Sequence, residues 1–152
     1  MKLQRHILFL LLLLCSITAA HAQEALFRKY INYKGVSTVY ISKQMLSMMD
    51  NQEVGDYDIG KLAKKLEEVR ILSCEKRPLN KEIRNYAISW LKYNKYTLAM
   101  DIKDEDDNTQ IFMKSLGKGR YEYSLVNYES DETDIIYIVG RVTLKDIKSL
   151  TD

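Results

Sequence analysis

The chain has 152 residues, with 23 basic and 21 acidic side chains and a formal net charge of +2. This length suits a single domain, and so small a charge excludes the basic footprint of a typical nucleic-acid-binding protein. Both histidines, His6 and His21, lie near the N-terminus, so the remainder has no imidazole for a Ser-His-Asp or Cys-His centre or for a histidine-containing zinc site.

The N-terminal segment has the features of a cleavable export signal. Two basic residues begin it, an unbroken apolar run covers residues 7–14, and Ala20-His21-Ala22 fits the small-x-small pattern that a signal peptidase requires. The apolar run is shorter than the roughly 20 residues that a stable membrane anchor needs. We therefore predict that residues 1–22 are a removed signal peptide and that residues 23–152 form one exported domain, in the periplasm or at the cell surface. An uncleaved anchor is the alternative.

Cleavage after Ala22 would leave a domain with few reactive residue types. It would remove Lys2, Arg5 and both histidines, so that 21 basic residues balance 21 acidic ones. It would also remove Cys15, which leaves Cys74 alone and excludes an intramolecular disulfide. We expect Cys74, in a strand-like run, to be a small buried hydrophobic side chain, with an exposed thiol that pairs between chains as the alternative. We predict no catalytic residue, no metal, no cofactor and no nucleic-acid partner, and no membrane segment after signal removal.

Apolar periodicity and capping residues predict six elements in the first half of the domain. In chain order they are an amphipathic helix ended by Gly35, a strand over residues 36–42, a short helix capped by Ser42, a helix opened by Asp58 that buries Leu66, a strand over residues 69–75 and an amphipathic helix over residues 83–91. The short helix carries Met45, Met48 and Met49. We expect these methionines to fill the core, with an adaptable binding groove as the alternative.

The second half predicts a run of four strands followed by a short helix. The strands cover residues 96–102, 111–116, 121–128 and 135–140. Gly117-Lys118-Gly119 predicts a hairpin turn, and Thr143 with Asp146 has the spacing of a capping box that opens the last helix. The order of elements predicts an α+β fold with a single mixed, mainly antiparallel sheet of about five to six strands and the helices packed on one face.

Two stretches of the sequence resemble a known family. They are Phe27-Arg-Lys-Tyr-Ile-Asn-Tyr-Lys-Gly-Val-Ser-Thr-Val-Tyr-Ile-Ser-Lys-Gln-Met-Leu46 and the closing Ile138-Val-Gly-Arg-Val-Thr-Leu-Lys-Asp-Ile147. Both are similar to a family of small exported proteins of Gram-negative bacteria, described as a domain of unknown function, DUF4252. The resemblance would cover most of the mature chain and implies export and an α+β domain. It brings no assigned activity and no catalytic residues.

An acidic turn contains three candidates for calcium ligands, Asp104, Asp106 and Asn108. Their alternation is like the start of an EF-hand loop, but the sixth position is Thr109 rather than glycine and the twelfth is Ser115 rather than glutamate. We therefore favour an acidic hairpin tip that discourages edge pairing, with calcium binding as the alternative. A second acidic loop over residues 129–134 could contribute only if the fold brings the two loops together.

Strand alternation predicts a second apolar face, opposite the helices. It would consist of Tyr40, Phe112, Val126, Tyr128, Ile136 and Ile138. An exposed apolar patch usually marks an interface, so we predict that this face binds a partner chain, either a second copy or a protein of the cell envelope. The alternative is that the N-terminal helix or a loop covers it, or that one strand is inverted.

Taken together, these features predict an exported, non-catalytic binding or interaction module of the cell envelope. The alternative is a carboxylate-dependent hydrolase or a carbohydrate-active protein in which tyrosines stack on sugar rings. Such an enzyme requires two carboxylates about 5 to 10 Å apart, and sequence spacing alone does not supply that distance.

Overall fold

The computed structural model describes residues 22–49 and 60–149. Within these ranges the helices are α1 (Ala22–Tyr30), α2 (Lys43–Met48), a 3-10 helix (Gly60–Lys65), α3 (Leu79–Tyr93) and α4 (Leu144–Lys148). The strands are β1 (Val36–Ser42), β2 (Leu66–Cys74), β3 (Thr97–Lys103), β4 (Asn108–Gly117), β5 (Arg120–Tyr128) and β6 (Thr133–Gly140). Residues 1–21 of the predicted signal peptide and the predicted helix start at Asp58 lie outside the described residues.

The six strands form one open sheet in the order β1-β2-β6-β5-β4-β3. Every neighbouring pair is antiparallel. β1 and β2 pair directly, although α2 and the 3-10 helix lie between them in the chain. α3 then carries the chain to the far edge, where β3 begins a meander that returns to β2 through β6. This topology confirms the predicted α+β fold with one mainly antiparallel sheet.

One face of the sheet, which we call the short-helix face, carries α2, the 3-10 helix and α4. Leu46, Ala63 and Ile147 from these helices pack into one core with Val69 and Ile138 of the sheet. All five side chains are buried. The short helices therefore close this face although none of them is longer than six residues.

The other face, which we call the long-helix face, carries α1 and α3. Leu26 of α1 and Ile83 of α3 pack against Leu72 and Ile135 of the sheet. The sequence predicts helices on one face, whereas in the structure they lie on both. The reason is that the central strands β2, β5 and β6 carry apolar side chains on both sides, and strands of that kind need cover on both faces.

Several turns and helix ends follow the predicted local chemistry. The Ser42 hydroxyl accepts a hydrogen bond from the Met45 backbone N–H at 3.3 Å and caps α2. Thr143 and Asp146 form the reciprocal capping box that opens α4. All three residues of the β4–β5 turn have positive φ angles, which its two glycines adopt without strain. These three predictions are confirmed.

The segment before β2 differs from the prediction. The sequence predicts a helix that buries Leu66, whereas the 3-10 helix ends at Lys65 and Leu66 begins β2 opposite Gly140 of β6. Gly140 permits this approach because a Cβ atom built on it would lie 2.4 Å from the Lys65 carbonyl oxygen. The same oxygen accepts a hydrogen bond from the Arg141 backbone N–H at 2.9 Å. Ladder pairing thus overrides the helical periodicity at Leu66.

The predicted apolar face is not an open surface. Four of its six residues are at most 1% exposed: Phe112, Val126, Ile136 and Ile138. These four residues also lie on two different faces of the sheet. Val126 of β5 is paired with Ile135 of β6, so the next residue, Ile136, points to the opposite face. Ile136 and Ile138 therefore belong to the core of the short-helix face, while Phe112 and Val126 pack with Leu91 of α3. The expected exposure is wrong for these four residues, because one strand is inverted relative to the prediction and helices cover both faces.

Candidate functional site

Two residues of the predicted face, Tyr40 and Tyr128, do reach the surface. Tyr128 is half-buried at the end of β5, where the Arg84 guanidinium lies 4.4 Å from its ring centre. Tyr40 is 60% exposed on β1, and the Arg70 guanidinium lies 4.8 Å from its ring centre. Because β1 lies at the edge of the sheet, the most exposed part of the predicted face is an edge strand.

Within the part of the chain that the structure describes, β1 lacks the usual protection of an edge strand. Among the described residues it pairs with β2 on one side only. Its seven residues include no charge, proline or glycine, and its register runs without a bulge from Val36 opposite Cys74 to Ser42 opposite Glu68. Natural edge strands are commonly blunted by charges, proline or bulges, because unpaired N–H and C=O groups can pair with another chain. The outer side of β1 therefore has the properties of a site for strand addition.

β3, at the opposite edge, has two of these protective features. Its register with β4 shifts between Leu98 and Met100. It also carries Asp101 and Lys103, whose charged groups lie 3.8 Å apart. A bulge twists an edge strand and charged side chains resist a neighbouring strand. The two edges therefore differ in kind, and β1 is the candidate site.

Exposed apolar side chains lie on β1 and on the helix that packs against it. Val39 is 41% exposed, and α2, which packs against β1 and β2, exposes Met45 and Met48 to 52% and 72%. Met49 is buried. The expectation that these methionines fill the core is therefore confirmed for Met49 and wrong for the other two. We call β1, which includes Val39 and Tyr40, together with Met45 and Met48 of α2 the edge surface.

A carboxyl group lies almost buried on the long-helix face. Glu122 accepts one hydrogen bond on each oxygen, from the hydroxyl of Tyr96 at 2.6 Å and from that of Tyr137 at 2.8 Å. Burial, and then the neighbouring Glu122, raise the pKa of Tyr137. The network joins β5 and β6 to the segment that follows α3. This network was not predicted from the sequence, although alternation along β5 places Glu122 on the same side as the buried Val126.

Two carboxylates share one row of the sheet. Glu68 on β2 and Glu122 on β5 both lie next to Val139 of β6, so they are two strands apart. Glu68 is paired with the Arg70 guanidinium, and Glu122 is bound by its two tyrosines. Both carboxylates therefore contribute to contacts within the fold.

The fold brings the two acidic turns to the same end of the sheet. Asn108 begins β4 opposite Tyr128, the last residue of β5. The turn that contains Asp104 and Asp106 therefore lies beside the turn that follows β5. Among the described residues, no group of three or more histidine, cysteine, aspartate or glutamate side chains is placed to hold a metal ion. Calcium binding by Asp104, Asp106 and Asn108 therefore stays a prediction without such a cluster among the described residues.

Two further predictions concern the burial of Cys74 and the membrane. Cys74 is buried, and its Sγ lies 3.8 Å from the Lys76 carbonyl oxygen, as expected for a small core side chain. Within residues 22–49 and 60–149, no helix has both the length and the apolar character needed to cross a bilayer.

Comparison with known families agrees with the resemblance seen in the sequence. A family model described as a domain of unknown function (DUF4252) matches residues 30–150. No curated protein and no solved structure matches the chain.

Proposed function

The chain belongs to the DUF4252 family of domains of unknown function, and we propose that it is a non-catalytic interaction module of the cell envelope that binds a partner strand at β1. The observation that carries this proposal is the edge strand itself, which is uncharged, regularly paired on one side and unprotected on the other within the described residues. The export signal predicted over residues 1–22 supports a location in the envelope.

A second copy of the chain is the partner that best suits β1. In an antiparallel pair of two β1 strands centred on Val39, Val39 faces its own copy, Thr38 faces Tyr40 and Ser37 faces Ile41. Like charges directly opposite one another destabilise a ladder, and this pairing places no charged side chain in it. Main-chain hydrogen bonds would supply affinity, and the exposed side chains of the edge surface would add apolar contacts.

The oligomeric state of the processed protein tests this proposal. Sedimentation equilibrium at several protein concentrations should reveal a reversible monomer–dimer equilibrium. Amide hydrogen exchange in β1 should slow as the dimer fraction rises. Val39→Lys should shift the protein to the monomer, because a lysine at the centre of the pair places two positive charges opposite each other.

Leu98→Lys provides a matched control. Leu98 and Val39 are 43% and 41% exposed, and each lies on an edge strand. The control should leave the dimer intact, because β3 is not part of the proposed interface. A protein that stays monomeric at every concentration, or an equal effect of the two substitutions, would contradict strand addition by a second copy at β1.

A further inference from the structure

Basic side chains gather at the end of the sheet where β1 and β6 finish and β2 begins. Leu66 of β2 and Tyr121 of β5 both pair with Gly140 of β6, so the β4–β5 turn, α2, the 3-10 helix and α4 all start or end there. Among the residues whose side chains the structure describes, these elements and their flanking residues carry eight basic ones, which we call the basic end: Lys43, Lys64, Lys65, Lys118, Arg120, Arg141, Lys145 and Lys148.

Direct contacts connect the elements of the basic end. The Arg141 guanidinium donates a hydrogen bond to the Lys118 carbonyl oxygen at 2.6 Å, and the Arg141 backbone N–H donates to the Lys65 carbonyl oxygen at 2.9 Å. The Lys65 ammonium lies 3.3 Å from the Asp146 carboxylate of α4. The β4–β5 turn, the end of β6, the 3-10 helix and α4 therefore form one continuous surface.

Carboxylates only partly balance these charges. Glu67, Glu68 and Asp146 lie at the same end, and their side chains are 27%, 28% and 23% exposed. Arg120 donates to Glu67 through Nε at 2.9 Å, and this hydrogen bond is the main cause that lowers the pKa of Glu67. Lys64 and Lys145, by contrast, are exposed. Glu122 lies in the same row as Glu68, nearly buried and bound by its two tyrosines. Among the residues whose side chains the structure describes, eight basic residues therefore face four acidic ones at this end, an excess of four positive charges.

The opposite end of the sheet has the opposite character. It carries the acidic turns over residues 104–107 and 129–132, which lie beside each other. The two ends of the sheet therefore differ in charge although the overall charge of the domain is nearly balanced, and the end with the acidic turns also holds basic residues beside β1, among them Lys34 and Lys76. In the field of an anionic surface such a domain orients with its basic end toward that surface.

Two apolar side chains lie beside the basic end. α2 begins at Lys43 and packs against the 3-10 helix, and it exposes Met45 and Met48. A water-soluble polyanion would engage the charges alone. Basic residues next to exposed apolar side chains suit the boundary between lipid headgroups and acyl chains. We propose that the basic end binds the surface of a bilayer that contains anionic lipids, with Met45 and Met48 entering the interfacial region.

Vesicle binding by the processed protein, with its N-terminus confirmed by sequencing, tests this proposal. The protein should sediment with vesicles of phosphatidylglycerol and phosphatidylcholine in equal parts, but not with vesicles of phosphatidylcholine alone, and added salt should weaken this binding without abolishing it. One basic residue near an anionic surface changes partitioning about fivefold, so Lys64→Glu combined with Lys145→Glu should weaken binding by about thirtyfold or more. Met45→Ser combined with Met48→Ser should weaken the binding that survives added salt.

Lys34→Glu combined with Lys81→Glu is the matched control. Both lysines are exposed near the other end of β1 and β2, and the change in net charge is the same. This control should bind vesicles as the unmodified protein does, and circular dichroism should show that all variants are folded. Equal loss in the two charge variants, equal binding to both kinds of vesicle, or binding to a soluble polyphosphate without binding to vesicles would overturn the proposal.

Discussion

Replacing Tyr137 by phenylalanine isolates one bond of the buried polar network. The substitution removes the hydroxyl that donates to Glu122 at 2.8 Å and keeps the ring that packs in the core of the long-helix face. Tyr96 still donates to the other oxygen of Glu122 at 2.6 Å. The variant therefore leaves one oxygen of a nearly buried carboxyl group without its donor.

Tyr137→Phe should lower the free energy of unfolding by about 2 kcal/mol, because a hydrogen bond to a charged group contributes roughly 1.5–3 kcal/mol. The Glu122 oxygen that loses its donor also stays shielded from water. For a domain of this size, about 2 kcal/mol corresponds to a fall of about 8 °C in Tm. Tyr93→Phe is the matched control, because Tyr93 is 83% exposed and its hydroxyl is not in the core. It should change stability by less than about 0.5 kcal/mol.

Urea denaturation at neutral and alkaline pH measures both consequences. Burial and Glu122 raise the pKa of Tyr137, so above the ordinary tyrosine value of 10.0 the unfolded chain loses this proton while the folded chain keeps it. Folded protein then binds more protons than unfolded protein, and stability falls as the pH rises. The Tyr137→Phe variant should show a shallower alkaline decline. Unfolding free energies and alkaline slopes equal to those of the Tyr93 control would refute the role assigned to this network.

Two further substitutions test contacts at the basic end. Arg120→Ala should lower stability at neutral pH by at most about 1 kcal/mol, because the pair with Glu67 is partly exposed. Since Arg120 lowers the pKa of Glu67, the stabilisation from this pair is fully present above the ordinary glutamate pKa of 4.5 and disappears as the pH falls through the lowered pKa. The urea midpoints of the variant and the parent protein should therefore converge in acid. A difference between the midpoints that stays constant with pH would contradict this role of the pair. Gly140→Ala should lower stability by about 1–3 kcal/mol, because the added methyl group would press on the Lys65 carbonyl oxygen at 2.4 Å; an unchanged Tm would show that β2 and β6 shift apart without loss.

The sequence predicted local structure correctly where a few adjacent residues determine the conformation of the chain. The capping box of Thr143 and Asp146 depends on three-residue spacing, and the β4–β5 turn depends on glycines that accept positive φ angles. β1 was readable as a strand because its β-branched residues alternate between two faces. In each case the information lies within one short segment.

The orientation of β6 was not readable in this way. Residues 135–139 are all apolar, and all are buried in the structure. A strand covered on both faces has no polar side chain to mark its outer side, so either assignment of Ile135 and Ile136 satisfies the pattern. Only pairing with β5 fixes it. The assignment of Ile136 and Ile138 to the same face as Val126 failed for this reason.

The edge position of β1 and the polarity of the charges also depend on long-range order. The sequence places β1 and β2 far apart and leaves open which strand lies outermost. Likewise, 21 basic and 21 acidic residues after the predicted cleavage describe a balanced domain, and only the strand order collects Lys64, Lys118 and Lys145 at one end. Composition reports the sum of charges, whereas binding depends on where the fold places them.

Strand addition and bilayer contact place opposing demands on the same molecule. Two β1 strands that pair in antiparallel fashion point in opposite directions, so the basic ends of the two copies lie at opposite ends of the joined sheet. A flat bilayer can then contact only one basic end of the dimer, and the second copy gains nothing from the surface. The bilayer should therefore favour the monomer, with β1 free to accept a strand from a different partner. On this reasoning Val39→Lys, which prevents self-pairing, should bind anionic vesicles at least as tightly per chain as the parent protein, and weaker binding would show that the two surfaces act together.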